Sequence, residues 1–234
     1  MSMQSIVYLI PSVLDETAIQ TIPSYIIDAV KNSAVIFAEN ERTARRFLKS
    51  ICKEIVIDDY EWHAIHKVEE EQLTIFRQKI KENKNIAIIS EAGCPGIADP
   101  GQILVAAAQE MGATVKPLVG PSSILLALMA SGMNGQQFEF LGYLPIDNAE
   151  RMKTISALEL ASQKKQSTQI FIETPYRNNQ LIETLLKTCK PSTRLCIAAE
   201  LTGINESVKT KTIAEWKKEK VDLHKKPAIF LLQG

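Results

Sequence analysis

Ser90-Glu91-Ala92-Gly93-Cys94-Pro95-Gly96-Ile97-Ala98-Asp99-Pro100-Gly101 puts three glycines and two prolines into twelve residues. It follows Ile86-Ala87-Ile88-Ile89, a short β-branched run that reads as a buried strand. It precedes residues 102–111, Ala-rich and without a breaker, which read as a helix. Glycines bring backbone N–H and C=O groups to a surface with no Cβ in the way, and prolines hold the turn in one shape. Open parallel sheets bind ligands just beyond the carboxyl ends of their strands, where this turn would lie. A plain structural strand-to-helix connection is the rival reading.

Outward from the turn, strands are predicted at residues 5–10, 34–38, 54–58 and 114–118, with helical segments between them. One or two helical pieces fill residues 15–30, with Pro23 starting the second, and further helices cover 39–49 and 68–82. Trp62, His63 and His66 fall in a polar loop on this reading. Strand–helix alternation implies βαβ units and a largely parallel sheet. After residues 120–123, which open an almost wholly apolar helix, the pattern changes. Strands are expected at 138–144, 169–173, 194–200, 208–212 and 228–232, and helices at 150–162, 178–190 and 213–219. Residues 208–212 alternate β-branched residues with Lys, as an edge strand does. The fold class is α/β: an N-terminal domain over 1–117 with a mostly parallel sheet, and a C-terminal domain over 118–234 with a mixed sheet.

The 234 residues suffice for a sizeable core, and 45% apolar with 23% charged residues describes an ordinary globular chain. Lys plus Arg equals Asp plus Glu at 27 each, so no global charge attracts nucleic acid or an anionic membrane. Cys52, Cys94, Cys189 and Cys196 form no Cys-x-x-Cys pair, so neither disulfides nor zinc are expected. The longest clean apolar run, 124–130, falls far short of the roughly 20 residues that span a bilayer, and no secretory n-region precedes Lys31. A soluble, cytoplasmic protein is the expectation.

Seven ordered stretches carry a resemblance. The central turn resembles the Ser-Asp-Ala-Gly-Thr-Pro-Gly-Ile-Ser-Asp-Pro-Gly signature of the tetrapyrrole methylase superfamily, in its branch acting on small-subunit ribosomal RNA. Ala38-Glu39-Asn40-Glu41-Arg42-Thr43-Ala44-Arg45-Arg46 is similar to the family's Ala-Glu-Asp-Thr-Arg-x-Thr-Arg segment. Gly120-Pro121-Ser122-Ser123 with Ala130-Ser131-Gly132, and Phe140-Leu141-Gly142-Tyr143-Leu144-Pro145, resemble its Gly-Pro-Ser-Ala, Ala-Ser-Gly and Glu-Gly-Phe-Leu-Pro stretches. Glu173-Thr174-Pro175-Tyr176-Arg177 and Ala199-Glu200-Leu201-Thr202 resemble its Glu-Ser-Pro-His-Arg and Arg-Glu-Leu-Thr.

The resemblance implies a homodimer of two α/β domains holding S-adenosylmethionine (SAM) in a cleft between them, gripped by backbone groups of glycine-rich loops. By position it implies cofactor contacts from Pro11 and from Glu91, Ala92, Gly93, Pro95, Gly96 and Ile97. It adds Ser122 and Ser123, Met129 and Ala130, Tyr143 and Leu144 beside the adenine, and Ala228 closing over it. Several positions depart from the family. The turn carries Glu91 for Asp and Cys94 for Thr, Asn40 replaces Asp, and Ile10-Pro11-Ser12-Val13-Leu14 lacks the glycine of the substrate-side motif.

Methyl transfer from a sulfonium is an in-line displacement that depends mainly on holding the acceptor in place. An alcohol acceptor also needs a proton acceptor. The catalytic candidates are Glu39, Arg42, His63 and Glu173, with His66 and Glu200 behind them, and no metal is expected. Glu39 has the spacing to pair with Arg42 instead, and Glu173 or Glu200 could cap a following helix. Arg42, Arg45, Arg46 and Arg177 read equally as a phosphate rim or as solvated surface. A ribose 2′-hydroxyl of small-subunit ribosomal RNA is the expected acceptor. A corrinoid- or porphyrinoid-like small molecule and a SAM-binding, non-catalytic dimer remain the alternatives.

Overall fold

Runs of β-branched residues too short for helices become strands, and the helices between them cover the strands' faces. The computed structural model describes residues 4–65 and 69–234. The chain divides into two compact units, Met1–Ser122 and Ser123–Gly234.

In the first unit, β1 (Ile6–Ile10), β2 (Val35–Ala38), β3 (Glu61–Ala64), β4 (Ile86–Ile89) and β5 (Thr114–Pro117) form one sheet in the order β3-β2-β4-β1-β5. Every pairing in it is parallel. Every residue of β2 and β4 is buried, which is why both read as continuous apolar runs rather than alternations. On one face, α1 (Ile26–Lys31) and α2 (Glu41–Ile51) bring Ile26, Val30, Phe47 and Leu48 onto Tyr8, Ile10, Ile36 and Ile89. On the other, α3 (Glu69–Lys81) and α4 (Gln102–Glu110) bring Phe76, Ile80, Leu104 and Ala108 onto Val7, Phe37 and Ile88.

Residues 54–58 do not form the predicted strand. Ile55 is buried in the core beneath α2, and Ile57–Asp59 is a single 3-10 turn. The strand is β3, with Trp62 opposite Ile36 and His63 opposite Phe37. Aromatic packing outweighs the β-branched run. The Trp62 indole N–H donates to the Ile57 carbonyl at 3.0 Å beneath the Arg45 guanidinium, and His63 stacks on Phe37 at 4.8 Å. His66 lies outside the described residues.

The second unit contains α5 (Ser123–Ser131), β6 (Phe138–Tyr143), α6 (Asn148–Lys165), β7 (Thr168–Ile172) and α7 (Asn178–Thr188). It continues with β8 (Arg194–Ala199), β9 (Ser207–Thr212), α8 (Ile213–Trp216) and β10 (Ala228–Gln233). The sheet order is β6-β7-β10-β8-β9, with β6 and β7 parallel and the rest antiparallel. β9 is the edge strand its alternation predicted. α8 stops after one turn, three residues short of the expected end, although Thr212 and Glu215 give it a full capping box. Ile155, Leu181, Leu185, Trp216, Phe171 and Phe230 form the core on the α6–α7 face. α5 packs against β8, β9 and β10.

Asn40 caps α2, its side-chain oxygen accepting the Thr43 N–H at 3.2 Å. Asn40→Ala is expected to cost about 1 kcal/mol of stability by chemical denaturation.

Candidate functional site

The central turn is clamped from three sides inside the first unit. The Glu39 N–H continues β2 by donating to the Ile89 carbonyl at 3.0 Å. Glu39 Oε2 then accepts the Glu91 N–H at 2.8 Å, and Glu91 Oε1 accepts from Asn40 Nδ2 at 3.1 Å and Thr43 Oγ1 at 3.3 Å. On a second side, Ser12 and Gly93 exchange backbone bonds at 2.8 and 3.1 Å, and Ser12 Oγ donates to the Ser90 carbonyl at 2.8 Å. On the third, the Cys94 thiol points at the Pro121 carbonyl at 3.5 Å. Gly93, Gly96 and Gly101 have φ of +74°, +77° and +113°, a region that side chains disfavour.

This clamp leaves backbone bare. Among the described residues, the N–H groups of Ala92 and Gly96 have no hydrogen-bond partner. Ala92 and Ile97 are exposed, while Gly93 and Pro95 are buried. Bare amides beyond the carboxyl ends of parallel strands suit a ligand read by its polar edges.

Of the sequence candidates in this unit, Glu39 meets Glu91, and Gly93 is bonded to Ser12, the residue after Pro11. Glu39 does not pair with Arg42; it holds the Glu91 amide, and Arg42 is exposed on α2. His63 is engaged by Phe37 and by Glu61, whose Oε1 lies 2.9 Å from Nε2. Arg45 pairs with Glu41 at 3.3 Å and Arg46 with Glu16, so both lie on a paired helix face. Pro121 is buried and Ser122 half-buried where the unit ends.

In the second unit, Tyr143 lies at the end of β6, 60% exposed, paired with Ile172 of β7. The next residue of β7's chain is Glu173, buried, whose Oε1 takes three donors: the Thr174 N–H at 2.7 Å, Arg177 Nε at 3.0 Å and Arg177 Nη2 at 2.7 Å. Its other oxygen, Oε2, is buried with no partner. The Arg177 side chain is 31% exposed, and the carboxylate strengthens its hold on its proton. Met129 and Ala130 are exposed at the end of α5, Ser123 begins that helix, and Leu144 belongs to the α6–α7 core. Ala228 pairs with Ala199 in the sheet. Glu200 pairs with Lys226 at 3.1 Å.

Three residues of the turn's surroundings were not singled out from the sequence: Ser12, which bonds Gly93 and Ser90; Thr43, which donates to Glu91; and Asp99. Burial, then the neighbouring charges of Glu39 and Glu91, push the Asp99 carboxyl up to about 6 from the ordinary 3.8. A raised carboxyl binds its proton more tightly folded than unfolded, so stability falls as pH rises from about 4 through about 6. Asp99→Asn is therefore expected to gain stability relative to the parent at about pH 8 and not at about pH 4, read from urea unfolding at both. A gain independent of pH would contradict the burial of that charge.

A family model described as "Tetrapyrrole (Corrin/Porphyrin) Methylases" matches residues 26–217. The chain belongs to the tetrapyrrole methylase family, and thereby among the methyltransferases. It is 31% identical over 214 residues to ribosomal RNA small subunit methyltransferase I of Bacillus subtilis, covering 90% of this chain and 68% of that one. It is 33% identical over 175 residues to the Vibrio cholerae protein of the same name, covering 73% and 59%. It therefore spans about three-fifths to two-thirds of these relatives' length. By structure it is similar to Thermus thermophilus uroporphyrin-III C-methyltransferase solved with S-adenosyl homocysteine, at a TM-score of 0.57 and 15% identity over 98% of this chain and 97% of that one. The α/β architecture with one parallel and one mixed sheet is the family's. Among the described residues no helix is long and apolar enough to cross a membrane.

Proposed function

We propose that this tetrapyrrole methylase transfers the methyl group of SAM to a ribose 2′-hydroxyl of small-subunit ribosomal RNA, acting as a homodimer. The observation that carries the reading is the bare-amide turn at residues 90–101 in a chain 31% identical to a small-subunit ribosomal RNA methyltransferase. The turn's backbone would bind the cofactor, which supplies an activated methyl on sulfur. This chain's own residues supply position and a proton acceptor. Glu39 fixes the turn through the Glu91 amide. Among the four catalytic candidates, Glu173 alone keeps a buried carboxylate oxygen without a donor, so it is our proton acceptor for the ribose hydroxyl. Arg177, held by Glu173 and still partly exposed, would take a backbone phosphate of the RNA.

The test is incubation with methyl-labelled SAM and, separately, small ribosomal subunits, naked ribosomal RNA or a metabolite extract. Label in the RNA, at a nucleoside that resists alkaline cleavage on its 3′ side, is the expected result. Label only in small molecules moves the acceptor to the corrinoid- or porphyrinoid-like class. SAM binding by calorimetry with no transfer anywhere would leave a binding protein. Light scattering of the same sample checks the dimer.

A further inference from the structure

The second unit has a cavity of about 360 Å³ where α6 begins beside α7, within the size range of small-ligand sites. Its wall includes Arg151, which is 4% exposed. Arg151 donates one bond, from Nη2 to Asn148 Oδ1 at 3.2 Å, while its buried Nε has no acceptor. Among the described residues no carboxylate lies within ion-pair distance of Arg151. A buried cation without a counter-ion is costly, and a site that keeps one is built for an anion.

The other groups agree. Lys187 of α7 brings a second positive charge to the cavity, against one carboxylate, Glu183. Asn148 spends its oxygen on Arg151, and its amide nitrogen has only the Met152 sulfur at 3.9 Å, so it is a donor in reserve. Ile146, 69% exposed, and Met152 add an apolar wall next to these donors. Donors beside an apolar wall fit a nucleotide. The cavity begins three residues after Tyr143, at Ile146 in the segment that joins β6 to α6.

We propose that this cavity is a phosphate-binding site that takes one nucleotide of the RNA acceptor, its phosphodiester on Arg151 and Lys187. The identity of the occupant rests on the RNA reading above; the anion site rests on Arg151.

The experiment measures binding of a fluorescent single-stranded RNA oligonucleotide by anisotropy, with AMP, inorganic phosphate and adenosine as competitors. The proteins are the parent chain, Lys187→Glu and Arg151→Gln, and SAM affinity is titrated alongside. AMP and phosphate should compete and adenosine should not. Each variant should lose about tenfold or more in RNA affinity. The parent's dependence on salt should weaken by about one phosphate contact in Lys187→Glu, while SAM affinity holds. Should Arg151→Gln fail to fold, Lys187→Glu and Asn148→Asp decide alone. RNA affinity unchanged in the folded variants would overturn the site, and if ribosomal subunits are still methylated the RNA reading survives that failure. AMP binding that depends on Lys187, from a chain that neither binds nor methylates RNA, would overturn the occupant together with the RNA reading.

Discussion

Gly120→Ala is expected to lower stability by about 3 kcal/mol or more and to abolish measurable SAM binding. A Cβ built at Gly120 would lie 2.2 Å from Pro11 Cβ and 2.4 Å from its Cγ. Neither atom is the far end of a flexible side chain, since the pyrrolidine ring is tied to the backbone. One of the two loops must move. Pro11 leads directly into Ser12, which carries both bonds to Gly93, and Gly120 leads into Pro121, which Cys94 faces. Displacement of either loop therefore reaches the turn at residues 90–101. In a chain of this size the loss corresponds to a drop of roughly 10 °C in melting temperature. Gly135→Ala is the matched control: nothing lies within 4 Å of where its Cβ would stand and its φ is not left-handed, so its stability should stay within about 0.5 kcal/mol of the parent. A Gly120→Ala protein that melts like the parent and binds SAM would show that the Pro11 contact does not position the turn.

The second large effect separates stability from activity at Glu173 and Arg177. Removing only the carboxylate, in Glu173→Ala, is expected to cost about 3 kcal/mol, because Arg177 loses two bonds and the Thr174 N–H loses its acceptor. Replacing both partners, Glu173→Leu with Arg177→Met, should recover most of that loss, since an apolar pair carries no desolvation penalty. Glu173 Oε2 has no donor, so the pair is poorly compensated as a stabilising device. On the proposed role, methyl transfer should nevertheless fall by at least about 10²-fold in the double variant, with SAM affinity within a few fold of the parent. Full transfer by the stable double variant would remove Glu173 from the chemistry.

Much of this was legible in the order of residues alone. Ile86-Ala87-Ile88-Ile89 reads as a buried strand because it is one, buried on both faces, and the glycines after it read as a turn, which the structure builds with left-handed backbone at Gly93, Gly96 and Gly101. The error at residues 54–58 has a physical source. β-branched composition reports a fit to a half-buried pleat, and Ile55 satisfies the same demand from a loop under α2, while Trp62 and His63 gain their strand through partners distant in sequence. The clamp on the turn was invisible for a similar reason: Ser12, Glu39 and Asn40 are ordinary residue types and meet only because β1, β2 and β4 are neighbours in the sheet. Arg151 shows the limit most clearly. On a predicted helix an arginine reads as surface, and only the packing of α6 on α7 reveals one that is buried.

The strand order β3-β2-β4-β1-β5 also governs how the chain emerges during synthesis. β1 is made first, yet its two neighbours, β4 and β5, begin only at residues 86 and 114. At about 5–20 residues per second, translation leaves Ile6–Ile10 without either neighbour for several seconds. A nascent-chain force or protease profile should accordingly show no protection of this amino-terminal segment until the stalled length exposes β4. The segment is thus a natural client for chaperones stationed at the tunnel exit.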